Sequence, residues 1–234
     1  MTLAARIEDT REQLARIEGD YAPAALASSF GAEDMVLIDL IAKGRFEIGV
    51  FTLDTGRLPK ETLALVDQVR ARYGIAIEVF TPRSDAVAQY VDQYGRDGFY
   101  ESVEARKACC GIRKVEPLQR ALQGRHGWIT GLRREQADSR ATISTVERDE
   151  THGILKFNPL ADWTNDDVWE YIRANDVPYN ALHDRGYPSI GCEPCTRAVK
   201  AGEHARAGRW WWEQEGAKKE CGLHVIPIHP EQRA

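Results

Sequence analysis

No apolar run in the 234 residues is long enough to cross a bilayer, since the longest, Met35 to Ala42, is broken by Asp39 and a spanning helix needs about 20 apolar residues. The opening MTLAARIEDTREQLARIEGD also lacks an apolar leader core and a cleavage site. Secretion is therefore not expected, and the expected compartment is the cytoplasm. An excess of positive charge is missing too. A formal net charge of −5 and a pI of about 5.7 provide no global basic field, so neither nucleic acid nor membrane is an expected partner, and any anion must be held by a local cluster. Internal repeats and low-complexity linkers are absent. Five cysteines are too few and odd in number for a disulfide framework in such a compartment. They point instead to metal binding or redox chemistry, with four acting together and one alone.

What is present is an ordinary globular composition, with 43% hydrophobic and 29% charged residues, on a chain suited to one sizeable core. Residues 3–18 read as an amphipathic helix, after which strands and helices alternate. Strands are expected at Ala24–Ser29, Ile48–Leu53, Ile75–Phe80 and Trp128–Gly131, with Leu155–Leu160 as an edge strand. Helices are expected at about Glu33–Lys43, from Pro59 to Tyr73, at Asp85–Tyr94 and Ala105–Leu122, and from Thr164 to Arg173, where Thr164 and Asp167 form a capping pair. This alternation predicts an α/β fold, a parallel sheet with helices on both faces. From Asn175 onward Gly, Pro, His and Cys replace periodicity. Trp210-Trp211-Trp212 reads as a packing anchor for that irregular tail.

Cys109 and Cys110 are adjacent, and Cys192 and Cys195 form a C-x-x-C pair. Each pair alone is compatible with small buried hydrophobes or a redox dithiol. Together, four soft thiolates suit tetrahedral zinc or a [4Fe–4S] cluster. Neighbouring residues on a helix diverge by a quarter turn or more, which separated iron corners accommodate better than one ion does. Zinc stays open on this argument. Cys221 stands apart, with Lys218 and Lys219 before it and Gly222 and His224 after it. Nearby cations lower a thiol's pKa and favour the nucleophile, although a bystander tail cysteine has the same neighbours.

Ser28-Ser29-Phe30-Gly31 falls between a strand and a helix N-terminus, a natural seat for phosphate or sulfate. It lacks the Gly-Lys-Ser/Thr ending of a Walker A loop. Asp54-Thr55-Gly56 follows the next strand, so both loops open at the carboxyl edge of the sheet, where ligands of such folds bind. Basic residues cluster at Arg113/Lys114, Arg133/Arg134, Arg140 and Arg206/Arg209, and solvated surface charge is their usual fate. Lys114 follows Cys110 by four residues, on the same helical face.

Taken together, Ser28–Asp34, Leu53–Leu58, KACCGIRKVEPL (Lys107–Leu118), ITGLRREQADSR (Ile129–Arg140), NPLADWTNDDVWEYI (Asn158–Ile172), Pro178–Thr196, Gly208–Glu213 and ECGLH (Glu220–His224) resemble the assimilatory sulfonucleotide reductases, in particular the adenylyl sulfate (APS) reductases. The likeness runs from about Ala24 to His224, and its most specific parts are ECGLH and the paired CC…CxxC.

The resemblance implies a Rossmann-like adenine-nucleotide α-hydrolase fold, related to the PP-loop enzymes, in a single domain whose residues 203–234 form a mobile C-terminal lid. It implies a [4Fe–4S] cluster on Cys109, Cys110, Cys192 and Cys195. Cys221 should attack the sulfur of APS, and thioredoxin or glutaredoxin should reduce the resulting thiosulfonate to release sulfite. Lys114, Arg206 and Arg209 correspond to the residues that meet sulfate and phosphate, helped by Ser28, Ser29 and the loop amides. Arg133 and His224 are further candidates, for nucleotide and for lid or thiol, and a homo-oligomer is compatible with the family. Reductases restricted to the 3′-phosphorylated nucleotide (PAPS) generally keep only the ECGLH cysteine, so five cysteines favour APS. The Ser-Gly-Gly-x-Asp-Ser loop of ATP pyrophosphatases is replaced here by Ser-Phe-Gly-Ala-Glu-Asp. A zinc-stabilised, non-catalytic nucleotide-binding module is the alternative of a different class.

Overall fold

The computed structural model describes residues 1–213 and 222–223. Helix α1 (Leu3–Tyr21) precedes β1 (Ala24–Ala27), α2 (Ala32–Gly44), β2 (Gly49–Leu53), α3 (Lys60–Tyr73), β3 (Ile77–Phe80), α4 (Ser84–Tyr94) and α5 (Val103–Cys110). A π-helical turn over Gly111–Val115 leads into α6 (Glu116–Ala121), followed by β4 (Gly127–Ile129), β5 (Val146–Asp149), β6 (Ile154–Phe157) and α7 (Asn165–Ala174). The sheet order is β3-β2-β1-β4-β6-β5, parallel except for β5. This is the doubly wound α/β arrangement expected from the sequence. The order reverses between β1 and β4, so a crevice opens where the loops after those two strands diverge.

Alternation along the strands explains the two layers. Ala24, Leu26, Val50 and Ile129 face one core with Leu14, Ile17, Leu65, Val69 and Ile172 from α1, α3 and α7. Ala25, Phe51 and Trp128 face the other, against Leu118 and Ala121 of α6. Helix α2 is buried almost all round, as its run of Met35, Val36, Leu37 and Ile38 requires. Asp39, which interrupts that run, accepts the hydroxyls of Tyr73 (2.9 Å) and Tyr171 (2.6 Å) and pairs with Lys43 (2.8 Å). The interruption is therefore a satisfied buried carboxylate tying α2 to α3 and α7.

Some expectations change. Leu155–Leu160 is not an edge strand, because β6 is paired with β4 on one side and β5 on the other. The outer hairpin strand β5 was hidden by a polar sequence, Val-Glu-Arg-Asp, that only the sheet edge accommodates. The helix expected over Ala105–Leu122 loosens at Gly111–Val115. Pro117, at the start of α6, has no N–H to give the Arg113 carbonyl, and a widened turn precedes it. Thr164 caps α7 reciprocally with Asp167 as expected, whereas Pro59, expected to open α3 in its first turn, is the cap before it. Among the described residues no helix is long and apolar enough to cross a membrane.

Candidate active site

A cavity of about 650 Å³ opens at the carboxyl edge of the sheet. Its wall is built from the loop after β1 (Ser28, Ser29, Gly31), the end of β2 and the residue beyond it (Thr52, Leu53, Thr55) and the loop after β4 (Thr130, Gly131, Arg133), together with Lys114, Arg206 and Arg209. The loop after β1 is held by Asp34 in the first turn of α2, which accepts the Ser29 N–H at 2.6 Å and the Ser29 hydroxyl at 2.9 Å. Burial raises the Asp34 carboxyl to about 6 although those hydrogen bonds oppose the rise. Phe30 takes a left-handed φ of 60° and is buried in the core, so it anchors the loop and is absent from the cavity wall. Asp54 and Gly56 likewise stand outside the wall. The Asp54 carboxylate accepts the Gly56 N–H at 2.9 Å and shapes the turn that presents Thr55.

The basic residues divide. Arg133 lines the cavity, but its guanidinium is engaged by Glu33 (2.8 Å), Glu135 (3.1 Å) and the Trp163 carbonyl (3.3 Å). Its charge is thus balanced within the protein. Arg209 is buried, donates to the Ile190 carbonyl (3.1 Å) and the Ser189 hydroxyl (3.3 Å), and has no carboxylate partner among the described residues. A buried guanidinium without a counter-ion favours an anion beside it. Arg113, Arg133, Arg140 and Arg209 are all buried, against their usual fate as surface charges.

The four cysteines of the described chain converge from two distant segments. Cys109 and Cys110 end α5, and a short 3₁₀ turn is capped by Cys192 and ends on Cys195. All four line one small pocket with Arg57, Arg106, Arg113 and Lys114, and none is in a disulfide. Thr55 fastens the second segment, its hydroxyl 3.3 Å from the Cys192 sulfur, and its carbonyl accepts from Arg113 at 2.7 Å. The Glu193 N–H donates to the Arg57 carbonyl at 2.8 Å. Burial, with Cys192 adding to it, pushes the Cys195 thiol up to about 12 against the pull of Lys114. The Cys109 thiol is raised by burial and lowered by Arg113. Among the described residues no group of three or more His, Cys, Asp or Glu is arranged to hold a single metal ion. Lys114, Cys192 and Trp210 belong to both pockets, so the two sites share a wall.

Cys221 and His224 lie outside the described residues. Gly222 and Leu223 do not. A Cβ on Gly222 would meet the Val115 side chain at 3.7 Å, and Leu223 lines the large cavity and packs against the core face of Phe51 and Leu118. Sequence reasoning missed Glu33 and Glu135 as partners of Arg133. It also missed Thr52, Thr130 and His183 as wall residues. His183 has a buried Nε2 without a hydrogen-bond partner among the described residues, and burial lowers its pKa. Nothing in the local sequence marks it.

A family model described as the phosphoadenosine phosphosulfate reductase domain matches residues 23–198, which is most of the chain and contains both cysteine pairs. The chain belongs to this family. It is 56% identical over 228 residues to the adenosine 5′-phosphosulfate reductase of Burkholderia cepacia, covering 97% of this chain and 91% of that protein. It is 53% identical over 231 residues to the corresponding protein of Allochromatium vinosum, covering 99% and 90%. Among solved structures it resembles the phosphoadenylyl-sulfate reductase of Candida auris in its phosphate complex. The TM-score is 0.70 and the identity 29%, over 81% of this chain and 90% of that one. A yeast FAD synthetase is similar in fold, with a TM-score of 0.59 at 14% identity, over 84% and 67% of the two chains. That likeness is one of fold alone.

Proposed function

We propose that this chain reduces adenylyl sulfate to sulfite and AMP, with Cys221 as the nucleophile, in assimilatory sulfate reduction. The observation that carries the reading is Leu223. Two residues after Cys221, it forms part of the wall of a cavity that also presents Lys114, Arg206 and Arg209. The relatives at 53–56% identity, named adenosine 5′-phosphosulfate reductases, support the same substrate.

The Cys221 thiolate forms a bond to the sulfate sulfur. The bond from that sulfur to the bridging oxygen breaks, and AMP leaves with the electron pair. The protein then carries Cys–S–SO₃⁻. A dithiol protein, thioredoxin or glutaredoxin, attacks the Cys221 sulfur and expels sulfite, and its second thiol frees Cys221 as the donor becomes a disulfide. Both electrons thus come from the dithiol. The first step brings a thiolate toward an anion, so preorganised cations and N–H donors must offset the repulsion. Lys114, Arg206 and Arg209 are the cations for that task, with the Ser28 hydroxyl as a donor, since the Phe51 carbonyl already takes the Ser28 N–H and Asp34 takes the Ser29 N–H and hydroxyl. Arg133, already balanced by Glu33 and Glu135, shapes the strand end.

Cys109, Cys110, Cys192 and Cys195 are the residues that would hold a [4Fe–4S] cluster, for four free thiols around one pocket are the donor set such a group uses. Bound there, the cluster would crosslink α5 to the Cys192–Cys195 turn and set the electrostatics beside Lys114. Residues 203–234 would serve as the lid that excludes water, anchored as far as Glu213 by that residue's ion pair with Arg106.

The test is sulfite release by the anaerobically purified chain with thioredoxin, comparing APS with PAPS and recording iron in the same sample. APS-dependent sulfite with about four irons per chain, lost in Cys221→Ser without loss of nucleotide binding, is the expected result. Preference for PAPS would keep the chemistry and move the substrate. No sulfite from either would refute the reading.

A further inference from the structure

The guanidinium of Arg209 is confined by two neighbours that no charge pairing explains. Its Cζ lies 4.8 Å from the centroid of the Trp210 ring. A Cβ placed on Gly191 would fall 2.3 Å from Nη2 and 2.6 Å from Cζ, so the planar group lies directly against the Gly191 backbone. Its Nε is buried with no hydrogen-bond partner among the described residues. Trp210 is itself constrained. It is fully buried at a left-handed φ of 45°, where a bulky residue is strained, and its backbone N–H donates to the Cys195 carbonyl at 3.2 Å. The Arg106 guanidinium lies 4.7 Å from the same ring and is ion-paired with Glu213. A strained residue persists only where its surroundings over-determine it, and here those surroundings are both sites at once.

We propose that Gly191 and Trp210 are positioning residues of the anion subsite. They hold the Arg209 cation, which has no carboxylate partner among the described residues, in one place in the cavity wall, so that a phosphate or sulfate oxyanion meets a group already ordered. This rests on reading the cavity as the nucleotide site. Gly191 leaves room for the guanidinium, and the Trp210 ring supplies a cation–π face for it. The backbone strain at Trp210 places that ring between the Arg209 and Arg106 cations.

Gly191→Ala tests the idea cleanly, because the clashing atoms are the far end of a flexible side chain and the guanidinium can move while the backbone stays. The measurement is calorimetric binding of AMP and of adenosine to the anaerobically purified full chain. The wild type should bind AMP more tightly than adenosine. Gly191→Ala should weaken AMP by about tenfold or more, the scale of a lost charged hydrogen bond, and leave adenosine within about twofold. In an Arg209→Lys background, which lacks the planar fork, adding Gly191→Ala should change AMP affinity by less than about twofold. Unchanged AMP binding, equal losses for AMP and adenosine, or a full further loss in the Arg209→Lys background would each overturn the proposal. A wild type that binds AMP no better than adenosine would overturn the anion reading and this clamp together. Should Gly191→Ala fail to accumulate as folded protein, Trp210→Phe and Trp210→Leu decide. Leu should weaken AMP by about threefold more than Phe, the worth of a cation–π contact, and equal affinities would overturn the proposal.

Discussion

Replacing Glu213 with glutamine removes the carboxylate that faces the buried Arg106 guanidinium. The pair is among the most buried in the molecule, with the two side chains 1% and 4% exposed, and the carboxylate meets both Nε and Nη2 of the arginine. Exposed pairs such as Arg83–Asp85 contribute about 0–1 kcal/mol. Breaking a buried one by removing a single partner costs about 3–5 kcal/mol, because the remaining charge keeps its desolvation penalty. At a urea dependence of about 2 kcal/mol per molar, Glu213→Gln should lower the unfolding midpoint by about 2 M. Replacing both partners, Arg106→Met with Glu213→Leu, removes the buried cation as well and should recover most of the loss. Urea unfolding followed by tryptophan fluorescence on the two variants and the wild type measures this. A single variant within about 1 kcal/mol of wild type, or a double variant as unstable as the single, would show that the pair is not the anchor its burial implies.

Asp34→Asn should change how stability depends on pH. The Asp34 pKa is raised from 3.8 to about 6 by burial, so the folded state binds more protons between those values. Its stabilisation is fully present below about pH 4 and lost as pH rises through about 6, roughly 3 kcal/mol at 1.36 kcal/mol per pH unit. A wild-type-minus-variant difference that is the same at pH 4 and pH 7.5 would contradict this. Cys192→Ser should lower bound iron and acid-labile sulfide by more than half, since one of four ligands is gone; full iron content would remove Cys192 from the donor set. Lys114→Ala should lower kcat/KM for APS by about 100-fold, as removal of a preorganised donor does. The exposed Lys200→Ala should leave it unchanged, and equal rates in the two variants would refute the special place of Lys114.

Much of this protein was legible from local pattern. The alternation of apolar strands with helical periodicity, the Thr164–Asp167 cap and the strand-to-helix loop at Ser28–Gly31 are written within short windows, where backbone sterics and side-chain period act directly. The cysteine pairs were also visible, because C-x-x-C and CC are adjacent in the chain.

Other features were decided only by tertiary contact. The sequence did not show that β6 lies inside the sheet, because a four-residue strand reads alike at an edge or beside it. It did not show that Arg133 is neutralised by Glu33, 100 residues away, while Arg209 meets no carboxylate among the described residues. Basic residues look alike in sequence, and only burial and neighbours separate a structural cation from a binding one. Trp210 is the sharpest case. Its indole packs against Arg106 and Arg209 because segments some 100 residues apart come together around the cysteine pocket. Local propensity acts over a turn or two, whereas the charge, desolvation and packing that make a site are set by whatever the completed fold brings within a few ångströms.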